Sequence, residues 1–372
     1  MTDIQTLIES EDEVMLRDAA RGFLAEAAPV SAFRALRDAG GAYDKALWSE
    51  MAQMGWTGVL VPEAQGGADM GHRAAGILAE EMGANLVASP FLSTAVIAAT
   101  VLRGAGAQAR LEQITQGEVT YALAVDEGNK HAPDAVTMRA EPVGNGYRLS
   151  GTKRLVADGG FADRLLVLAR TSDTGLTLFD LEAGAAGLAR TPKRTIDGRD
   201  HADLSFDGVE ATGADILGTL GDGLTALGPG LLAGQAAVAA ELSGLARQAA
   251  GITLAYLGER KQFGRAIGSF QALQHRAAHL YAEQEITLSA VINAGRVLDH
   301  TPAEAELAVS LAKARATATA RLTVSEAVQM HGGIGMTDEH DIGFYMKRAR
   351  VGAEYLGDYG YHAARIAAAR GF

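Results

Sequence analysis

The chain reads as a multidomain α+β protein, and three features of its sequence lead there. Helical spacing dominates residues 1–118, short apolar runs separated by turn residues fill 119–225, and an Ala- and Leu-rich helical stretch occupies 226–372. A length of 372 residues suits two or three domains. The expected order is therefore a helical N-terminal domain over 1–118, a β middle domain over 119–225 and a C-terminal helical bundle over 226–372.

Within the first part, Val14, Leu16, Ala19, Ala20, Phe23 and Leu24 recur at helical spacing and predict a helix over 11–27. Asp44 is placed to start a second helix striped by Leu47, Trp48, Met51 and Met54 and closed near Gly55. Val61-Pro62-Glu63 and Gly66-Gly67 mark a loop, and 72–83 and 92–104 read as further helices. The pattern then changes. Residues 119–125, 135–140, 146–150, 164–168, 175–180 and 202–206 are strand candidates set apart by Gly144-Asn145, Asp158-Gly159-Gly160 and Asp173, as in an all-β domain. Beyond residue 226 the chain is helical, with breaks at Pro302 and at Gly332-Gly333-Ile334-Gly335.

Composition narrows the function classes. Hydrophobic residues make up 48% and charged residues 21%, an ordinary globular balance. The absence of cysteine removes disulfides, thiolate metal sites and a cysteine nucleophile. A net charge of −12 without a basic stripe argues against nucleic acid as a partner. The start, Met1-Thr2-Asp3-Ile4, soon turns acidic at Glu9, Glu11, Asp12 and Glu13, unlike a signal peptide, and no apolar run of membrane-spanning length is expected. Cytoplasm is the expected location. His275 and His279 sit one helical turn apart but lack a third ligand at suitable spacing, so no metal site is expected.

Three stretches carry a family signal. The first is Leu47-Trp48-Ser49-Glu50-Met51-Ala52-Gln53-Met54-Gly55-Trp56 with Val61-Pro62-Glu63 and Gly66-Gly67. The second is Glu259-Arg260-Lys261-Gln262-Phe263-Gly264 with Ile267 and Phe270-Gln271-Ala272. The third is Gln329-Met330-His331-Gly332-Gly333-Ile334-Gly335-Met336-Thr337. In this order and spacing they resemble the acyl-CoA dehydrogenase family over essentially the whole chain. The resemblance implies a helical N-terminal domain, a β-barrel-like middle domain, a C-terminal four-helix bundle, tetramers and FAD. It also implies a reaction in which a carboxylate takes the α proton of an acyl-CoA thioester and the β hydrogen leaves as hydride, with hydrogen bonds to the thioester carbonyl stabilising the enolate-like transition state.

The resemblance implies that Arg260, Phe263, Gln271, Gln329, Gly332 and Gly333 reach the ADP half of a neighbouring subunit's FAD. Their chemistry suits that role. It comprises a guanidinium fork for pyrophosphate oxygens, amides for polar edges, and glycines that admit a ligand to the backbone. The residues expected to hold the chain's own flavin depart from the family pattern. Ala124-Val125-Asp126-Glu127-Gly128-Asn129-Lys130-His131 stands where a Thr-Glu-Pro-Gly-Ala-Gly-Ser-Asp type loop is usual. In Gly151-Thr152-Lys153-Arg154-Leu155-Val156-Ala157, Leu155 replaces a stacking Trp and Ala157 a hydroxyl. Arg154 or backbone amides are the alternative means of holding a ring there.

The base is missing from both positions the family uses. Leu356, in Tyr355-Leu356-Gly357-Asp358-Tyr359-Gly360, occupies the first, and Gly234 beside Gln235 the second. Two candidate catalytic carboxylates remain. Glu241 lies roughly 10 Å along the helix from Gly234 on nearly the same face, among apolar neighbours. Asp358 follows Leu356, and its competing role is a helix N-cap. For Glu241 the competing role is a buried, salt-bridged carboxylate. His331 is expected to pack structurally and His362 to lie on the surface or in an interface.

These residues lead to an acyl-CoA substrate, FAD as cofactor, and a subunit of a flavoenzyme oligomer. The oligomer is either a homotetramer or a heterotetramer with a related acyl-CoA dehydrogenase subunit, with an electron-accepting flavoprotein as a further partner. By analogy, base-poor chains of this type resemble subunits of heterotetrameric dehydrogenases for bulky substrates such as steroid side chains. The rival expectation is a non-catalytic partner or acyl-CoA-binding scaffold that completes a neighbour's FAD site.

Overall fold

The computed structural model describes residues 7–173 and 175–372. The stretch Met1–Ile4, which bore on the signal-peptide reading, lies outside the described residues. The contacts group the chain into two units. The first takes in the chain up to Ala35 with His72–Val87 and Gln235–Phe372, and the second Leu36–Gly71 with Ala88–Gly234.

The first unit is helical. Helix α1 (Glu11–Ala27) starts at a reciprocal cap: the Glu13 amide donates to Ser10 Oγ (3.2 Å), and the Ser10 amide donates to the Glu13 carboxylate (3.0 Å). Glu11, Asp12 and Glu13 also place negative charge at the positive end of the helix dipole. Helix α2 (Val30–Asp38) follows and helix α3 (Lys45–Gln53) comes later in the chain, whereas the sequence predicts only one helix in this interval, starting at Asp44. Helix α4 (Gly71–Ala84) is buried almost throughout.

Further helices complete this unit. Helix α7 (Gly223–Glu259) belongs to it from Gln235 onward. Helices α8 (Gln271–His300), α9 (Ala305–His331), α10 (Ile342–Glu354) and α11 (Tyr359–Ala369) follow. Pro302 sits in the turn between α8 and α9, and the Gly332–Met336 turn ends α9, both where the sequence predicts breaks. Contrary to the sequence-based expectation, among the described residues one helix is long and apolar enough, by length and composition, to cross a membrane. It is α7, and 61% of its most apolar window is buried in the protein. Apolar residues all round a helix are what a core position requires.

The second unit holds α3, a π-helical segment Phe91–Ala98 that passes into α5 (Ala99–Ala105), α6 (Gln108–Thr115) and a mixed sheet. Asp44 caps α3 by accepting from the Ala46 (2.8 Å) and Leu47 (3.3 Å) amides. Trp48 is anchored by its indole N–H donating to the Gly117 carbonyl (3.2 Å). The strands are β1 (Tyr121–Ala124), β2 (Arg139–Val143), β3 (Gly146–Ala157), β4 (Arg164–Arg170), β5 (Leu176–Glu182), β6 (Leu188–Arg194), β7 (Asp200–Thr212) and β8 (Ile216–Leu217). They run in the order β6-β7-β3-β2-β4-β5-β8, with β1 parallel to β4. Most pairings are antiparallel, and β4 with β5 forms the buried centre.

Candidate functional site

Three places in the structure hold the residues singled out above. The first is the end of the helical unit where α7 stops, α8 starts and α9 stops. Leu257, Leu280 and Met330 pack together there, with Ile267 and Leu273 against them. That small core draws the polar motif residues to one end. The Arg260 amide donates to the Tyr256 carbonyl (2.8 Å), and the Ile267 amide closes the intervening hairpin onto the Arg260 carbonyl (2.8 Å). Strands β9 (Lys261–Gln262) and β10 (Arg265–Ala266) form that hairpin. Its two-residue turn, Phe263 (φ 53°) and Gly264 (φ 80°), has the paired positive φ that a tight hairpin needs. Phe263 is 91% exposed at the tip.

Arg260, Gln271 and Gln329 are exposed, and among the described residues their side chains make no hydrogen bond or ion pair. Gly332 adopts φ 65°, and a Cβ built at Gly332 or Gly333 would meet nothing within 4 Å. Unpaired donors beside an open glycine backbone fit an anionic dinucleotide. His331 is structural, as expected. Its Nδ1 donates to the Ala327 carbonyl (2.8 Å), its ring stacks on Tyr256 at 4.5 Å, and burial lowers its pKa, with His340 adding to the effect.

The second place is the loop after β1 with the facing part of β3. Here the residues do not fit a flavin in the family's manner. Ala124 is fully buried. Asp126 accepts from the Ala132 amide (3.0 Å) and contacts His131 Nδ1 (3.0 Å). Glu127 accepts from the amides of Thr137 (2.8 Å) and Met138 (2.9 Å), from the Thr137 hydroxyl (2.5 Å) and from Lys153 Nζ (2.8 Å). Burial alone would raise Glu127, but hydrogen bonds from Lys153, Thr137 and Met138 outweigh it and hold the carboxyl below its ordinary value. The loop is thus a closed, anionic arrangement whose carboxylates are satisfied within the chain. Leu155 sits at a bulge of β3 with φ 49°, 44% exposed, and offers no flat ring to a ligand.

The third place is the segment joining α10 to α11. Leu356 is buried, in left-handed backbone at φ 57°, and Gly357 follows at φ 106°. Asp358 Oδ1 accepts from the Tyr361 amide (2.8 Å), capping α11. Glu241 is buried, with Oε1 3.3 Å from Arg348 Nη1. Each candidate base therefore has a structural partner. His362 corrects an expectation: it is fully buried, and Nε2 donates to the Leu356 carbonyl (3.2 Å), because α11 turns that face onto α9. His275 and His279 are exposed, and among the described residues no group of acids and histidines suited to a metal ion occurs.

Sequence reasoning passed over two buried lysines. Lys153 donates to the Val125 carbonyl (2.9 Å) and to Glu127, tying β3 to the loop. Lys313 donates to the carbonyls of Gly352 (3.1 Å), Ala353 (3.2 Å) and Gly357 (3.0 Å). Burial pushes its pKa down to about 7, against the pull of Glu354, Asp358 and Glu241. A signal existed: Val309, Lys313, Ala316 and Ala320 share one buried face of α9, so a lysine stands in an apolar stripe.

Comparison with known proteins finds related chains. Residues 10–117 match the model of the acyl-CoA dehydrogenase N-terminal domain, and 221–370 that of the acyl-CoA dehydrogenase C-terminal domain. The acyl-CoA dehydrogenase IpdE2 of Mycobacterium tuberculosis is 32% identical over 352 residues, covering 93% of each chain. Among solved structures, the Tcur3481-Tcur3483 steroid acyl-CoA dehydrogenase superposes with a TM-score of 0.88 at 32% identity, covering 96% of this chain and 97% of that one. The ChsE4-ChsE5 complex from Mycobacterium tuberculosis gives a TM-score of 0.89 at 25% identity, covering 97% and 98%.

Proposed function

The chain belongs to the acyl-CoA dehydrogenase family of oxidoreductases, and from that premise we propose that it acts as one subunit of an FAD-dependent oligomer oxidising a CoA thioester, completing the FAD site of a neighbouring, related subunit. The observation that carries the reading is an asymmetry. Arg260, Gln271 and Gln329 stand exposed, without a partner among the described residues, at the same end of the helical unit as the open Gly332-Gly333 backbone, whereas the loop at 126–131 is filled by carboxylates satisfied within the chain.

When bound, FAD supplies the hydride acceptor of the reaction. Toward it, the Arg260 guanidinium would bind pyrophosphate oxygens, Gln271 and Gln329 would bond the polar edges of the nucleotide, and the glycine turn would let it approach. Glu241 and Asp358 are engaged by Arg348 and the Tyr361 amide, which favours an α-proton acceptor on another chain of the oligomer. The steroid dehydrogenase and the two-component complex among the similar structures support a bulky acyl group and a heteromeric assembly. A cytoplasmic location and an electron-accepting flavoprotein partner belong to the same reading.

The test is flavin content. Purified alone, the chain is expected to be colourless. Co-produced with a related larger subunit it is expected in a yellow complex, which Arg260→Ala with Gln329→Ala depletes of FAD without dissociating the subunits. Stoichiometric FAD in the chain alone, reduced by an acyl-CoA, would refute the proposal.

A further inference from the structure

The segment at 352–358 is held by more buried polar side chains than a connecting turn requires. Lys313 on α9, Gln235 on α7 and His362 on α11 are all buried, at 0%, 3% and 0% exposure. Lys313 Nζ donates to the carbonyls of Gly352, Ala353 and Gly357, with the Thr317 hydroxyl as a longer contact at 3.4 Å. Gln235 Nε2 (3.2 Å) and His362 Nε2 (3.2 Å) both donate to the Leu356 carbonyl. Two of the Lys313 acceptors are last-turn carbonyls of α10, where a cation is favoured. The result is a left-handed Leu356 held in place, in a conformation that a branched side chain does not choose unaided.

All five bonds go to main-chain oxygens, and none touches the side chain at 356. The turn's shape is therefore specified independently of which residue occupies that position. This matters because 356 is where the family resemblance places the carboxylate base. We propose that Lys313 is a positioning residue that, with Gln235 and His362, keeps the 355–358 turn as a ready-made seat, so that the side chain at 356 alone decides whether this chain carries its own base. The proposal rests on the reading that the oligomer oxidises a CoA thioester. It goes further by separating the seat, which is kept, from the reactive group, which is gone. The charges acting on Lys313 at the seat are Glu354 at the end of α10, Asp358, and Glu241 from α7, which is itself paired with Arg348 of α10. A carboxylate at 356 would join a cluster already containing both signs of charge.

The experiment uses the co-assembled oligomer, with amide hydrogen exchange and the pH dependence of urea unfolding read side by side. Lys313→Met, which keeps the bulk and removes the donors, is expected to speed exchange across 352–362 by about tenfold or more while α1 and the sheet are unchanged. Leu356→Glu is expected to leave that exchange at the wild-type rate. It should also add one titrating carboxyl, read as a pH-dependent difference in unfolding between Leu356→Glu and wild type. In the Lys313→Met background that difference is expected to shift in pH, because the lysine charge beside the turn is gone. Wild-type exchange in Lys313→Met would overturn the proposal, as would a folded Leu356→Glu oligomer that exchanges faster than wild type across 352–362, since the seat would then depend on the residue it holds. If Leu356→Glu does not fold, the exchange of Lys313→Met decides the matter alone. Failure of the flavin-completing role shows separately, as FAD content indifferent to Arg260→Ala.

Discussion

Arg348 and Glu241 show how a carboxylate that looks reactive in sequence is committed by its surroundings. Arg348 is 1% exposed and also donates to the carbonyls of Val87 (3.1 Å) and Leu86 (3.3 Å). Its removal takes a donor from buried Glu241 and from both carbonyls. We predict that Arg348→Met destabilises the chain by about 3–5 kcal/mol in urea unfolding, the range for breaking one side of a buried pair. Glu241→Gln keeps an acceptor and should cost less; a base role would instead show as abolished flavin reduction in a well-folded Glu241→Gln oligomer. Lys313 gives a prediction with a defined sign. Its folded-state pKa, about 7, lies below the ordinary 10.5. Between those values the unfolded chain binds more protons than the folded one, so stability rises with pH across the window. The stability of wild type relative to Lys313→Met is expected to grow as pH is raised from 7 toward 10.5. A flat difference would show that Lys313 stays charged throughout.

Between elements, α4 approaches α7 closely, and reciprocal glycines make the contact. A Cβ on Gly83 would fall 2.1 Å from the Glu241 carbonyl oxygen, and one on Gly244 would fall 1.8 Å from that of Glu80. Neither contact can relax without moving a helix. We predict that Gly83→Ala and Gly244→Ala each destabilise by at least about 1–3 kcal/mol. Gly251→Ala, on the same α7 with nothing within 4 Å, is expected to be neutral or stabilising by up to about 1 kcal/mol through helix propensity. Thermal unfolding of the three variants gives both signs. Legibility in the sequence follows the same divide between strong and weak burial. The start of α1 and the Asp44 cap of α3 are readable because a capping residue precedes a periodic apolar stripe. Strand β6 is not, since Leu188–Arg194 is largely exposed, contains Pro192 and pairs only with β7, leaving little alternation to see. Strand β3 is longer than its predicted core because bulges at Leu149/Ser150 and Lys153/Val156 break the two-residue period. In the candidate site, the exposed motif at 260–271 and 329–333 is readable as residue types, but the roles of Lys153, Lys313 and His362 depend on carbonyls brought to them only by folding.

At the scale of the molecule, the helical unit is tied to its own N-terminal segment by charge. Glu9 pairs with Arg17 and Arg73. Arg17 reaches Glu80 (2.9 Å) and Glu81 (2.8 Å), Arg73 reaches Glu80 (2.9 Å), and Arg21 (3.3 Å) and Arg247 (2.7 Å) reach Glu81. The network joins the start of the chain to α1, α4 and α7, segments distant in sequence, so its loss is felt cooperatively. Burial would raise both Glu9 and Glu81. The arginines outweigh it, Arg17 and Arg73 at Glu9, and Arg247, Arg21 and Arg17 at Glu81, so both carboxyls lie below their ordinary 4.5. A carboxyl depressed in the folded state contributes stability that is complete above its unfolded pKa and lost as pH falls through the folded one. The helical unit should therefore hold its melting temperature from neutrality to about 4.5 and lose it steeply below that value. Glu9→Gln is expected to lower the plateau and flatten the acid limb together, because it removes one of the groups whose protonation drives the loss. Scanning calorimetry on wild type and Glu9→Gln over this range checks it. If the two acid limbs run parallel, the network holds no stability that titrates.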